Sequence, residues 1–92
     1  MIACDESQCR LQGAVTVDNA AGLLDQLKPH LERGIRTLDL SAVEKVDSAA
    51  LALIFSSLRQ SRAAGHELCL AGLPTNIMTL AELYGVAELL PA

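Results

Sequence analysis

Apolar and polar positions along the chain follow two periods. Ala20, Leu23, Leu24, Leu27 and Leu31 recur every three or four residues, which predicts a helix with one buried stripe. Asp18 or Asn19 is placed to cap it and Gly34 to stop it. Pro29, inside the pattern, predicts a kink or an end to the regular part near Lys28. A second helix starts at Ser48, where Leu51, Ile54, Phe55 and Leu58 fall at i, i+3, i+4 and i+7 and Gly65 closes the run. A third starts at Pro74 and Thr75, puts Ile77, Leu80, Ala81 and Tyr84 on one face, and ends at Gly85.

Between the helices the pattern is that of short strands. Residues 1–4 and 9–13 flank the polar loop Asp5-Glu6-Ser7-Gln8, which predicts an antiparallel hairpin with the first strand at risk of lying on an edge. Residues 35–40 form the central strand, 41–46 its loop, and 67–71 a further strand. Residues 86–90 fit a helical turn or a short strand equally well. The order is strand, strand, helix, strand, helix, strand, helix. Strands joined through a long helix pair in parallel. The expected class is α/β, a small mixed sheet with helices packed mainly on one face and the other face partly wet.

A length of 92 residues fits one domain over 1–92. Hydrophobic residues make up 51% of it, yet there is one Tyr, one Phe and no Trp, so the core must be aliphatic. A net charge of −4 argues against sequence-independent binding to nucleic acid or anionic lipid. No apolar run nears the roughly 20 residues of a membrane span, and MIACDESQ does not read as a signal peptide. The expected location is cytoplasmic. Cys4, Cys9 and Cys69 show no C-x-x-C spacing and sit in strand-like segments, which predicts buried, reduced thiols. His30 and His66 have no partner at ligand spacing, so surface histidines are expected and neither a metal site nor a cofactor.

The chain has no Gly-rich phosphate loop, no G-x-S-x-G elbow and no metal-ligand cluster in sequence. Asp39 alternates with Leu38 and Leu40 and should point away from the face they line. Asp47 reads first as a helix cap, worth about 1 kcal/mol. Ser48 stands at the mouth of the helix, either assisting that cap or offering a hydroxyl to a partner beside free backbone donors. On a helical wheel Leu53 lies opposite the stripe through Leu51, Ile54, Phe55 and Leu58, with Ala49, Ser56 and Gln60 on its side. A leucine among small residues there predicts an exposed docking surface.

The stretch V-D-S-A-A-L-A-L-I-F, preceded by L-D-L-S-A-V-E-K, resembles the signature of STAS domains, and the likeness extends to G-A-V-T-V-D-N-A near the first helix. This family includes anti-sigma-factor antagonists, the cytoplasmic domains of sulfate transporters and the STAS subunit of the Mla phospholipid-transport ABC complex. The resemblance implies the STAS fold, a small mixed sheet covered by helices. In antagonists switched by phosphorylation, the acceptor hydroxyl is on the second residue after the Asp and is followed by Gly. Ala49 and Ala50 stand there in this chain, which excludes a switch at that position. In the Mla-type subunit the hydroxyl residue follows the Asp directly, as Ser48 does. The ending M-T-L-A-E-L-Y-G-V-A-E-L-L-P also resembles that subunit's tail, with Leu90-Pro91 matching its final L-P.

The resemblance therefore implies a non-catalytic subunit that binds the cytoplasmic ATPase of an Mla-type transporter and meets the membrane only through it. The expected partner-binding residues are Asp47, Ser48, Ala49, Leu53 and Ser56, with no catalytic residue. The rival reading is an anti-sigma antagonist or regulatory scaffold, whose partner is an anti-sigma-factor kinase and whose phosphorylation switch is either lost or moved to Ser48. An enzyme is the third reading, and the sequence supplies it with neither phosphate cradle nor activated nucleophile.

Overall fold

The computed structural model describes residues 1–90, so Pro91 of the tail motif lies outside the described residues. Strand β1 (Ile2–Cys4) and strand β2 (Gln8–Val15) form the expected antiparallel hairpin. Its turn is held by the Asp5 carboxylate, which accepts from the backbone N–H groups of Ser7 and Gln8 at 2.8 and 2.9 Å and from the Ser7 hydroxyl at 3.1 Å. These donors, the Ser7 N–H foremost, hold the Asp5 carboxyl below the usual carboxylate range. Helix α1 (Ala20–Arg33) then leads to β3 (Thr37–Val46), α2 (Ser48–Ala63) to β4 (Cys69–Ala71), and α3 (Thr75–Leu83) to a 3-10 turn at Ala87–Leu89. Among the described residues the sheet order is β1-β2-β3-β4, with β2, β3 and β4 mutually parallel.

Strand β3 runs on through residues 41–46, where a loop is expected from sequence. Two register shifts explain the difference. Arg10 and Gln12 face Asp39 and Ala42, and Gly13 and Ala14 face Val43 and Lys45, so β3 carries one extra residue at each shift. Each shift breaks the two-residue alternation while pairing continues. Leu38, Leu40 and Val43 still point into the core with Cys9, Leu11 and Val15 of β2.

Helix α1 buries Leu23, Leu27 and Leu31 as its pattern requires. It also continues through Pro29 to Arg33, past the predicted interruption. Pro29 and Asp25, whose carbonyl loses its usual donor, are both exposed, so water can replace the missing bond. Gly34 ends the helix at φ 91°, with its N–H donating to the carbonyls of His30 and Leu31. The His66 ring lies over Gly34, and its Nε2 is 3.2 Å from the Glu32 carbonyl oxygen. His66 thus packs across two elements.

The main departure concerns α2. Its buried residues are Ala50, Leu51, Leu53, Ile54, Ser57 and Ser61, while Phe55 and Leu58 are only half-buried. The buried arc is rotated by roughly 70° from the stripe expected, at 100° per residue. Leu53 is 2% exposed and belongs to the core, contrary to the expectation that it faces solvent. The cause is tertiary: α1 packs along that flank of α2, so α2 is covered on a second side. Small Ala50, Ser57 and Ser61 fall within the buried arc. Ser57 tolerates burial because its hydroxyl donates to the Leu53 carbonyl at 2.8 Å. Helix α3 buries Ile77 and Ala81, but Tyr84, expected on the same face, is 61% exposed.

The face of the sheet away from the helices carries Arg10, Asp39 and Cys69. Asp39 does point outward there. Its carboxylate accepts from the Ser41 N–H at 2.9 Å and from Arg10 Nε at 3.1 Å. The Ser41 bonds, and secondarily Arg10, hold its carboxyl below the usual range. Because the folded carboxyl gives up its proton more readily than the unfolded one, it stabilises the fold above the ordinary carboxylate range. That contribution is lost as pH falls through the lower folded value. Asp39→Asn is expected to flatten the stability profile below about pH 4, measured by urea unfolding across pH. The rotated arc of α2 has its own test: Ile54→Ala should cost about 2–5 kcal/mol. Ser61→Ala, which removes a buried hydroxyl without a partner, should lie within about 1 kcal/mol of wild type or above it.

Candidate functional site

The start of α2 is built around one carboxylate. Asp47 Oδ1 accepts from the Ala49 N–H at 2.8 Å and caps the helix, as its position predicts. Its other oxygen, Oδ2, accepts from the Val17 N–H at 3.0 Å. The carboxylate therefore joins the loop after β2 to the first turn of α2, a link between residues thirty apart in sequence. Asn19 secures the same loop from its other side. Its side chain accepts from the Thr16 N–H at 2.9 Å and donates to the Ala14 carbonyl at 2.8 Å, and so does not make the side-chain cap expected for α1.

With the two helices held in this way, a groove of about 240 Å³ lies between their N-terminal halves. Val17, Ala20, Ala21 and Leu24 line it from α1 and its loop. Ala49, Ala52, Leu53 and Ser56 line it from α2. Leu53 sits at the bottom, where its other side meets the core among Leu11, Val15 and Ile77. Its role is that of a floor, not the protruding anchor suggested by the wheel. Val17, 75% exposed, stands at the rim. Ser56 is the polar residue among the eight that line the groove, and its hydroxyl accepts from Arg59 Nη2 at 3.1 Å.

Of the residues singled out from sequence, Asp47, Ala49, Leu53 and Ser56 come together around this groove, and Ser48 is exposed on the opening turn of α2 beside it. The α1 side of the groove went unnoticed in the sequence. Ala20, Ala21 and Leu24 read as parts of an amphipathic stripe, and no local signal says that one edge of that stripe stays open.

The cysteines depart from expectation. Cys4 and Cys9 are opposite each other in the hairpin and form a disulfide, while Cys69 is free and exposed on β4. The hairpin places the first two side by side, and β4 turns Cys69 to the open face of the sheet. His30 is likewise not isolated. One of its ring nitrogens lies within 4.8 Å of both sulfurs, because the last turn of α1 passes the hairpin. None of the described helices is long and apolar enough to cross a membrane.

A four-stranded mixed sheet with helices gathered on one face is the STAS arrangement. A putative anti-sigma factor antagonist from Thermotoga maritima superposes with a TM-score of 0.73 at 18% identity, over 98% of this chain and 81% of its own. The anti-sigma factor antagonist SpoIIAA in its unphosphorylated form gives 0.71 at 12%, over 99% and 84%. The sequence narrows this further. Residues 2–91 match the family described as "Mlab, STAS domain", and the chain belongs to that family. The intermembrane phospholipid transport system binding protein MlaB of Escherichia coli K12 is 33% identical over 67 residues, covering 72% of this chain and 69% of that protein. The Shigella flexneri protein of the same name gives the same figures.

The double role of Asp47 predicts more than the loss of a cap. Asp47→Ala should cost about 1–2 kcal/mol, more than a cap alone, because a backbone N–H on each of two elements loses its acceptor, the half-buried Ala49 N–H and the exposed Val17 N–H. Urea unfolding measures the loss, and amide exchange should quicken at both Val17 and Ala49.

Proposed function

We propose that this chain is the non-catalytic STAS subunit of an Mla-type phospholipid ABC transporter. It binds the transporter's cytoplasmic ATPase through the groove between α1 and α2 and supports that enzyme's assembly or activity. In this role it serves the maintenance of outer-membrane lipid asymmetry and meets the membrane only through its partner. The observation that carries the reading is the groove itself, found in a chain 33% identical to proteins named as binding proteins of an intermembrane phospholipid transport system.

The groove's chemistry suits a protein partner. Seven of its eight lining residues are apolar and most are alanines, so a ridge of aliphatic side chains from another helix or loop can approach the backbone closely. Asp47 fixes the rim, which keeps the ordering cost of docking low. Ser48 stands at the edge, where a hydroxyl can exchange hydrogen bonds with the partner's backbone.

Ala21 and Ala52 are both exposed and face the groove from opposite helices, so arginines there fill it without disturbing the core. Ala21→Arg and Ala52→Arg are each expected to weaken binding to the purified ATPase by roughly 10–100-fold, measured by titration calorimetry. Ser48→Ala should weaken it less, by about 5-fold, in keeping with one exposed hydrogen bond. Full-strength binding by a folded Ala21→Arg, Ala52→Arg double variant would overturn the assignment of the groove. Phosphate incorporated at Ser48 by a switch kinase, with no ATPase binding by wild type, would favour the antagonist role instead.

A further inference from the structure

We infer that Cys4, Cys9 and His30 form a zinc-binding site in the reduced chain, and that the Cys4–Cys9 disulfide is the oxidised, metal-free form of the same site. The three ligand atoms lie within 4.8 Å of one another, although the residues come from the two strands of the hairpin and the last turn of α1. Two thiolates and an imidazole make a borderline-soft donor set of the kind Zn²⁺ prefers.

The fold places the ligands firmly. The backbone bonds from Asp5 N–H to the Gln8 carbonyl and from Gln12 N–H to the Met1 carbonyl define the hydrogen-bonded pairs of the hairpin. Cys4 and Cys9 fall between these as a non-hydrogen-bonded pair, the class in which opposing side chains stand closest. Both point to the helix side, where Cys9 is fully buried and Cys4 half-buried. Leu27 and Leu31, both fully buried, anchor α1 on either side of His30 and so hold the turn that carries it against the hairpin.

A disulfide alone does not require an imidazole within 4.8 Å of both its sulfurs. A zinc site does. With Zn–S bonds of about 2.3 Å in tetrahedral geometry, the sulfurs need to stand only about 3.8 Å apart, within reach of side-chain rotation after reduction. The fourth position opens to a surface depression lined by Cys4, Asp5, Glu6, His30, Arg33 and Ile35, which admits water. Arg33 is the one cation there. The Asp5 and Glu6 carboxylates in the same lining outnumber it, so the depression stays net negative toward Zn²⁺.

The exchange between the two forms balances with glutathione as the redox partner. On binding, both thiols release their protons to solvent and each sulfur donates an electron pair to the metal. With glutathione disulfide, the two cysteine thiolates give up one electron each and form the Cys4–Cys9 bond. The glutathione S–S bond is reduced to two thiols, which take up two protons, and Zn²⁺ leaves. The site lies six residues along α1 from Leu24, the nearest groove residue, a rise of about 9 Å, and it shares no residue with the groove.

The test uses the full chain reduced with a phosphine, with Co²⁺ as a spectroscopic probe and Zn²⁺ as competitor. One equivalent of Co²⁺ should bind with thiolate-to-cobalt charge-transfer absorption and tetrahedral d–d bands, and Zn²⁺ should bleach both. Cys4→Ser should abolish the charge-transfer signal or weaken binding at least ~100-fold, and His30→Gln should weaken it at least ~10-fold. Cys69→Ser should leave it unchanged, and glutathione disulfide should discharge the metal while reducing the count of titratable thiols from three to one. Far-UV circular dichroism checks that each variant is folded, and Zn²⁺ uptake by the wild-type chain reads the site without any substitution. Failure of the reduced wild type to take up an equivalent of either metal would overturn the inference. So would unchanged affinity in Cys4→Ser or loss of binding in Cys69→Ser.

Discussion

Asp47 is the point at which the two halves of the helical layer are tied together. One of its oxygens caps α2 and the other takes the Val17 N–H from the loop that launches α1. An acceptor that satisfies one element ordinarily leaves the next to find its own. Sharing the carboxylate fixes the separation of two helix starts that the sheet alone would leave free to slide. The groove between them is lined largely by alanines, whose short side chains leave it unfilled.

Helix α2 carries the consequences. It packs on the sheet, on α1 and on α3, so its buried arc is wide, and its centre falls on Ile54 and the small Ala50, Ser57 and Ser61. Small side chains let α2 approach its neighbours closely, and the Ser57 hydroxyl is satisfied within its own helix. Leu53 then joins two environments, core on one side and groove floor on the other. A partner seated in the groove would rest on the core itself, a rigid support that needs little ordering on binding.

The two ends of α1 are chemically unlike. Its N-terminal half contributes alanines and Leu24 to an apolar groove that suits a protein partner. Its last turn brings an imidazole to a pair of cysteines. Gly34 and the His66 ring above it lock that end of the helix, as Asp47 and Asn19 organise the other. The helix continues unbroken through Pro29 because the carbonyl left without a donor is on the solvent side.

Much of this was legible in the chain itself. Local periodicity set the helices, the order of elements and the parallel pairing, and Asp47 before an apolar run declared itself as a cap, since caps and stripes are written in residues a few positions apart. The V-D-S-A-A-L-A-L stretch pointed to the family for the same reason. The sequence could not reveal which flank of α2 would be covered, since a wheel drawn on one helix knows nothing of a second helix alongside, and on that wheel Leu53 faces solvent. Nor could it show β3 running through 41–46, where two extra residues break the alternation, or His30 resting against Cys4 and Cys9 from another element. These features depend on contacts between residues distant in sequence, and only the packed chain brings them together.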